Sequence, residues 1–337
     1  MYYKLICGIF AIALSFTFAI YVHTEGNWIT GLADTTSNSG IASLEIAFTN
    51  NLPAPNLSIL LNSNKYYTDL NWSNISEAET YCIYYSDDLS LLKSISPGSI
   101  PSGVTQVCNI TILNFTDPTA NESLFRYYTV SAVNPVLENI SEDIVGKCSH
   151  YLLGIDYGSN DHKRKNWIGR CMNSTMYAED IAQNIPNDSG IRVIKLVRPD
   201  ASTYAYSTHD KNFGNNFSIL AGVGYEVEVS ADAYYTEVGI PFDSLFTYNL
   251  YGFPFGTNDH KRKNWISIPY STAPYDAERF LTEIPDSNGI RTIKLVRANS
   301  STYAYSTHDK NFTNNFPMYV GVGYTAEVRN DSNYTLS

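Results

Sequence analysis

At 337 residues the chain is too long for one small core and suits two to four domains. A net charge of −11 argues against nucleic acid as the main partner, because phosphate contacts need a basic surface. Only 16% of residues are charged, whereas Tyr alone numbers 27, so Tyr, Asn, Ser and Thr carry the surface and favour strands and turns.

Met1-Tyr2-Tyr3-Lys4 carries one early positive charge and is followed by an apolar run, Leu5–Val22. A basic start, an apolar stretch and the loose small-x-small site Thr17-Phe18-Ala19 fit a secretory signal. Uncleaved, the run is just long enough to span a bilayer, so residues 1–24 are expected to be a signal peptide or a membrane anchor, with 25–40 a linker. Asn-x-Ser/Thr sequons begin at Asn56, Asn71, Asn74, Asn109, Asn114, Asn121, Asn139, Asn173, Asn187, Asn216, Asn299, Asn311, Asn330 and Asn333, more than composition predicts. They are candidate N-glycosylation sites, a modification that requires export. Beyond Cys7 in the leader, Cys82, Cys108, Cys148 and Cys171 make an even set, which in an exported chain points to disulfides.

Residues 41–150 alternate apolar and polar side chains, with Pro, Asn and Ser punctuation about every ten residues. Within them, Leu70-Asn-Trp72, Tyr81-Cys-Ile83-Tyr-Tyr85, Phe115-Thr-Asp117 and Tyr127-Tyr-Thr-Val130-Ser-Ala132 resemble strands B and C, the E–F corner and strand F of a fibronectin type III domain. The resemblance implies a β-sandwich with Trp72 in its core and a corner hydroxyl from Tyr127 or Tyr128. Cys82 and Cys108 depart from the family pattern.

The remainder is a duplication. Asn160–Ile168 reads NDHKRKNWI, and so does Asn258–Ile266; over 190–236 against 289–335, 32 of 47 positions are identical, which fixes a shared fold. Each copy reads as a small α+β unit, residues 151–240 and 241–337. Trp265-Ile-Ser starts a strand, and Ala277, Phe280, Leu281 and Ile284 mark one helix face. Ile290–Val296, Thr302–Ser306 and Val320–Val328 alternate as strands, the last with Gly321 and Gly323 for close backbone approach. In the first copy Tyr177–Ile185 repeats the helix pattern. The expected fold is thus mainly β, a fibronectin-like sandwich followed by two tandem homologous α+β domains. The Asn-Trp-Ile-Ser, Tyr-x-Ala-Glu, Asn-Phe and Gly-x-Gly-Tyr elements resemble a repeat of secreted archaeal surface proteins, which implies cell-surface placement and brings no catalytic residues. Cys171 aligns with Pro269, and Cys148 falls near Phe246. Both are absent from copy two, as a jointly gained pair would be, which predicts Cys148–Cys171 and leaves Cys82–Cys108.

Candidate chemistry is sparse. His209-Asp210-Lys211 and His308-Asp309-Lys310 put a base beside a carboxylate, but no nucleophile or oxyanion site accompanies them. His162, Lys163, Arg164 and Lys165, with their copies His260, Lys261, Arg262 and Lys263, are basic clusters in an acidic protein and candidate anion or partner contacts, or else a solvated loop. Asp156 and Asp161 lack the spacing of a calcium loop, so no metal or other cofactor is implied. Tyr204, Tyr206, Tyr303 and Tyr305 either stack on sugars or pack on their own sheet. STYAYSTHDKNF and NDHKRKNWI are identical in both copies, although core packing would fix only alternate strand residues. Either the duplication is recent or both copies present one surface to a repeated partner, and the variable helix region between the identical runs argues mildly against recency alone. The expected role is an extracellular structural or adhesive surface protein, a self-assembling subunit of an S-layer, sheath or filament. A glycan-binding array is the alternative, and an enzyme is not expected. Partners would be the chain itself, other surface proteins or glycans, with the membrane met only through an uncleaved leader.

Overall fold

The computed structural model describes residues 18–24, 27–33, 52–63, 65, 67–154, 165–186, 192–197, 203–208, 214–242, 246–252, 263–269, 275–284, 291–296, 302–306 and 313–336. The chain forms two units, Met1–Asn51 and Leu52–Ser337. In the first, β1 (Phe18–Thr24) and β2 (Asn27–Ala33) pair antiparallel from Phe18–Ala33 to Thr24–Asn27. The end of the apolar leader therefore lies in a strand, and residues 1–17 lie outside the described residues. No described helix is long and apolar enough to cross a membrane.

The second unit opens with the sandwich. Its elements are β3 (Leu57–Leu61), β4 (Thr68–Trp72), β5 (Thr80–Ser86), α1 (Leu89–Lys93), β6 (Thr105–Ile110), β7 (Asn114–Asp117), β8 (Phe125–Val133), β9 (Glu138–Ile140) and β10 (Val145–Leu152). One sheet runs β3-β4-β7; the other runs β10-β8-β5-β6, with β9 on β8. Alternation sends Leu57, Ile59, Leu70, Trp72, Ile83, Tyr128 and Val130 into one core between them. Each such burial contributes about 1.5–3 kcal/mol, enough to pin the strand register. Trp72 packs against Tyr81 with ring centroids 5.7 Å apart. The corner hydroxyl is that of Tyr128, which donates to Asp117 Oδ2 at 2.8 Å and lies 3.0 Å from Thr68 Oγ1. Tyr127 faces the opposite side of the sheet, among Cys82, Tyr84 and Cys108. Cys82 and Cys108 are bridged across β5 and β6.

The first repeat continues with β11 (Asn166–Ile168), α2 (Ala178–Asn184), β12 (Arg192–Val197), β13 (Thr203–Ser207), β14 (Tyr225–Val229) and β15 (Ala233–Gly239). The second has β16 (Thr247–Leu250), β17 (Asn264–Ser267), β18 (Tyr275–Asp276), α3 (Ala277–Glu283), β19 (Arg291–Val296), β20 (Thr302–Ser306), β21 (Pro317–Met318), β22 (Gly323–Val328) and β23 (Ser332–Thr335). Each copy folds one helix onto a four-stranded sheet, β11-β14-β12-β13 and β17-β22-β19-β20. The helices start where a carboxylate caps them: Asp180 Oδ2 accepts from Tyr177 N, and Asp276 Oδ1 from Arg279 N, both at 2.7 Å. They stop before Pro186 and Pro285, which cannot continue a helix. Ile181 and Ala182, and likewise Phe280 and Leu281, fill the two cores.

Strand β10 serves two modules. Val145–Cys148 pairs with β8 of the sandwich, and Gly146–Leu152 pairs with β15 of the first repeat. The sandwich sheet thus extends through β10 into the first repeat, in the order β15-β10-β8-β5-β6. In copy two the equivalent pair is β16-β23, with Thr247–Thr335 in register where copy one has Ser149–Thr236.

Candidate functional site at the repeat junction

The duplicated Asn-Trp-Ile strands are where the copies meet. Each Asn clamps its own copy: Asn166 Oδ1 accepts from Leu153 N at 2.8 Å and its Nδ2 donates to Leu153 O at 3.1 Å. Asn264 does the same to Tyr251 at 2.8 and 2.9 Å. Each Trp then crosses to the other copy. Trp167 and Trp265 stack with centroids 4.0 Å apart and planes 16° apart, and neither buried Nε1 has a hydrogen-bond partner among the described residues. Backbone contacts are reciprocal as well. Ile168 bridges to Val322, and Ile266 to Val223. Gly169 N donates to Gly321 O at 2.7 Å, and Ser267 N to Gly222 O at 2.9 Å. Equivalent residues meeting each other in this way define an isologous interface, here within one chain.

Glycine makes the approach possible. A Cβ on Gly169 would lie 2.0 Å from Ser267 Cβ, its own counterpart, and one on Gly224 would lie 2.8 Å from Ile266 O. Gly222 and Gly321 hold φ of 72° and 75°, the left-handed region that favours glycine.

Beside this interface lies a cleft of about 720 Å³, lined by Leu220 and Gly222 of copy one and by Phe246, Asn249, Tyr251 and Trp265 of copy two. Leu220 and Tyr251 are more than half exposed, at 56% and 55%. The cleft is flanked by the edge of β16. In copy one, Ser149 N donates to Leu124 O of the sandwich at 2.7 Å. Its counterpart Thr247 lies on β16, which pairs only with β23 among the described residues.

At the equivalent place in copy one sits a polar cluster. Cys148 and Cys171 are bridged, His150 Nε2 lies 3.3 and 3.9 Å from their sulfurs, and Glu237 Oε2 lies 3.5 Å from Cys171 Sγ. Arg170 Nε donates to Glu237 Oε1 at 2.5 Å and its other nitrogens to the carbonyls of Ile219, Met172 and Ser174. Burial holds the His150 imidazole down at about 4, so it is neutral at physiological pH. Burial also raises the Glu237 carboxyl against the pull of Arg170. In copy two the same five positions carry Phe246, Tyr248, Ile268, Pro269 and Leu336. His150, Arg170 and Glu237 escaped the sequence reading. The signal was present as three polar-to-apolar differences between aligned copies.

The basic clusters are corrected in part. Lys165 is buried, 3.1 Å from Glu226 and paired with Glu228; Lys263 is buried 2.5 Å from Glu327. Spent on internal carboxylates, neither can receive an external anion. His162, Lys163, Arg164, His260, Lys261 and Arg262 lie outside the described residues, as do Asp156, Asp161 and the two His-Asp-Lys runs. Tyr204 and Tyr206, and Tyr303 and Tyr305, pack half-buried on the core of their own copy. Of the sequon residues, Asn56, Asn74, Asn109, Asn114, Asn121, Asn173, Asn216, Asn330 and Asn333 are exposed. Asn71 and Asn139 are half-buried, and Asn139 Nδ2 donates to Leu52 O at 2.6 Å. Asn187, Asn299 and Asn311 lie outside the described residues.

No protein-family model matches the chain. No curated protein matches it either. Among solved structures, the chain is similar to a Fn3-like protein from Clostridium thermocellum, with 29% sequence identity, 26% of this chain and 83% of that chain covered, and a TM-score of 0.20.

Proposed function

We propose that the protein is an exported structural component of a cell surface that assembles with copies of itself through the open edge of β16. The observation that carries this reading is the difference between equivalent edges: β10 is capped by the sandwich, whereas among the described residues β16 pairs only with β23. An unpaired edge beside exposed Leu220 and Tyr251 is a template for a strand of a second copy. The two disulfides agree with an oxidising compartment, and the exposed sequon residues agree with a glycosylated outer face. Export, an archaeal-type surface setting and assembly into a layer, sheath or filament belong to this proposal.

The test is sedimentation velocity and electron microscopy of the purified full chain over a concentration series, beside Thr247→Pro. Proline at that position removes an edge-facing N–H and the exposed Thr247–Thr335 hydroxyl contact at 2.8 Å, leaving the ladder to β23 in place. Concentration-dependent polymers that vanish in the variant are expected; polymers unchanged by it would sink the edge as the contact. A second reading, glycan binding, is favoured by the 720 Å³ cleft with Tyr251 at its mouth. Monomers at every concentration, retained by a polysaccharide column and released by Tyr251→Ala, would replace assembly with that reading.

A further inference from the structure

We propose that Cys148, His150 and Cys171 form a zinc site in the dithiol form of the protein. A zinc ion with metal–sulfur bonds of about 2.3 Å and a metal–nitrogen bond of about 2.0–2.1 Å needs sulfur–nitrogen edges of roughly 3.5 Å. His150 Nε2 already stands 3.3 and 3.9 Å from the two sulfurs, and Glu237 Oε2 stands 3.5 Å from Cys171 Sγ. Cys148, His150 and Cys171 each offer a ligand atom within 4.8 Å of one another. The Cα atoms of the cysteines are 6.4 Å apart, so the sulfurs can part by side-chain rotation once the bond between them is broken. Glu237, held by Arg170, lines the site beside Cys171.

Copy two fills the same positions with Phe246, Tyr248, Pro269 and Leu336 and still folds around them. Burying a polar set is costly where apolar side chains suffice, so its presence in one copy points to a ligand. The chemistry balances. A dithiol or phosphine reductant supplies two electrons, solvent or the reductant supplies two protons, and the Cys148–Cys171 bond becomes two thiols. Each thiol then releases its proton as its sulfur bonds the metal.

The experiment uses the full chain carrying Cys82→Ser and Cys108→Ser, reduced in denaturant and refolded without oxygen in the presence of Co²⁺, a coloured stand-in for zinc. The expected result is a folded protein with the visible bands of tetrahedral thiolate-bound cobalt, bleached by one equivalent of Zn²⁺. His150→Tyr, which installs the residue of copy two, should weaken cobalt binding at least tenfold while its oxidised form folds normally by circular dichroism. Failure to refold with metal, a folded dithiol protein without the bands, or bands unaltered by His150→Tyr would each overturn the site.

Discussion

The two repeats are one fold solved twice, and they differ most where each meets what precedes it. Copy one meets the sandwich and there places a disulfide, a histidine and a buried Arg170–Glu237 pair. Copy two meets copy one and uses Phe246, Tyr248, Ile268 and Leu336 instead. The contrast continues in the sheets. Copy one holds Lys165 and Lys195 with both Glu226 and Glu228. Copy two has Lys263 and Lys294 on Glu327, with Thr325 in place of the other carboxylate. Backbone pairing specifies this fold, and its interior accepts either charge or hydrocarbon provided every charge has a partner.

That statement is open to attack by exchanging residues between the copies. The largest effect is expected from Glu237→Leu alone, which leaves Arg170 buried without its carboxylate and should cost about 3–5 kcal/mol by denaturant unfolding. Adding Arg170→Ile should restore part of the loss, since both partners then match copy two. If the double variant is no more stable than the single one, the copies are not interchangeable at this site. Next comes the element the copies share. Trp265→Ala removes one half of the stack at 4.0 Å and should cost about 3 kcal/mol, with loss of the near-ultraviolet signal of the coupled indoles. An unchanged signal would mean that Trp167 and Trp265 do not meet in solution.

The smallest effect concerns acid. Burial works against the Glu228 carboxylate, but hydrogen bonds from Lys165 and Lys195 and their charges hold it below its ordinary value of 4.5. Its contribution is therefore complete above about pH 4.5 and is lost as the pH falls through the lower folded value. Hydrogen exchange near β14 should quicken over that acid range, in the presence of facing Glu226, and Glu228→Gln should flatten the dependence. A slope that the variant leaves intact would assign the acid response elsewhere.

Much of the architecture was legible because it rests on local pattern. Trp72, the helix faces at Ile181 and Phe280, and the duplication follow from periodicity and identity. The cysteine pairing followed from comparing the copies, and the two bridges are the pairs so anticipated. The junction was harder. The identical Asn-Trp-Ile strands read as a surface for a repeated outside partner, yet each copy is that partner for the other. Lys165 looked like a free cation because Glu226 and Glu228 lie some sixty residues downstream, and pairing of that range leaves no trace in a local window. Nor does composition reveal that one strand is divided between modules, since β10 reads simply as a strand.

That division has a mechanical consequence. Because β10 is hydrogen-bonded along one edge to β8 and along the other to β15, a tensile load entering at the sandwich passes into the first repeat through lateral backbone bonds, with no compliant hinge between them. Peeling either neighbour away strips the support of the other, so sandwich and first repeat should rupture as a single event on stretching.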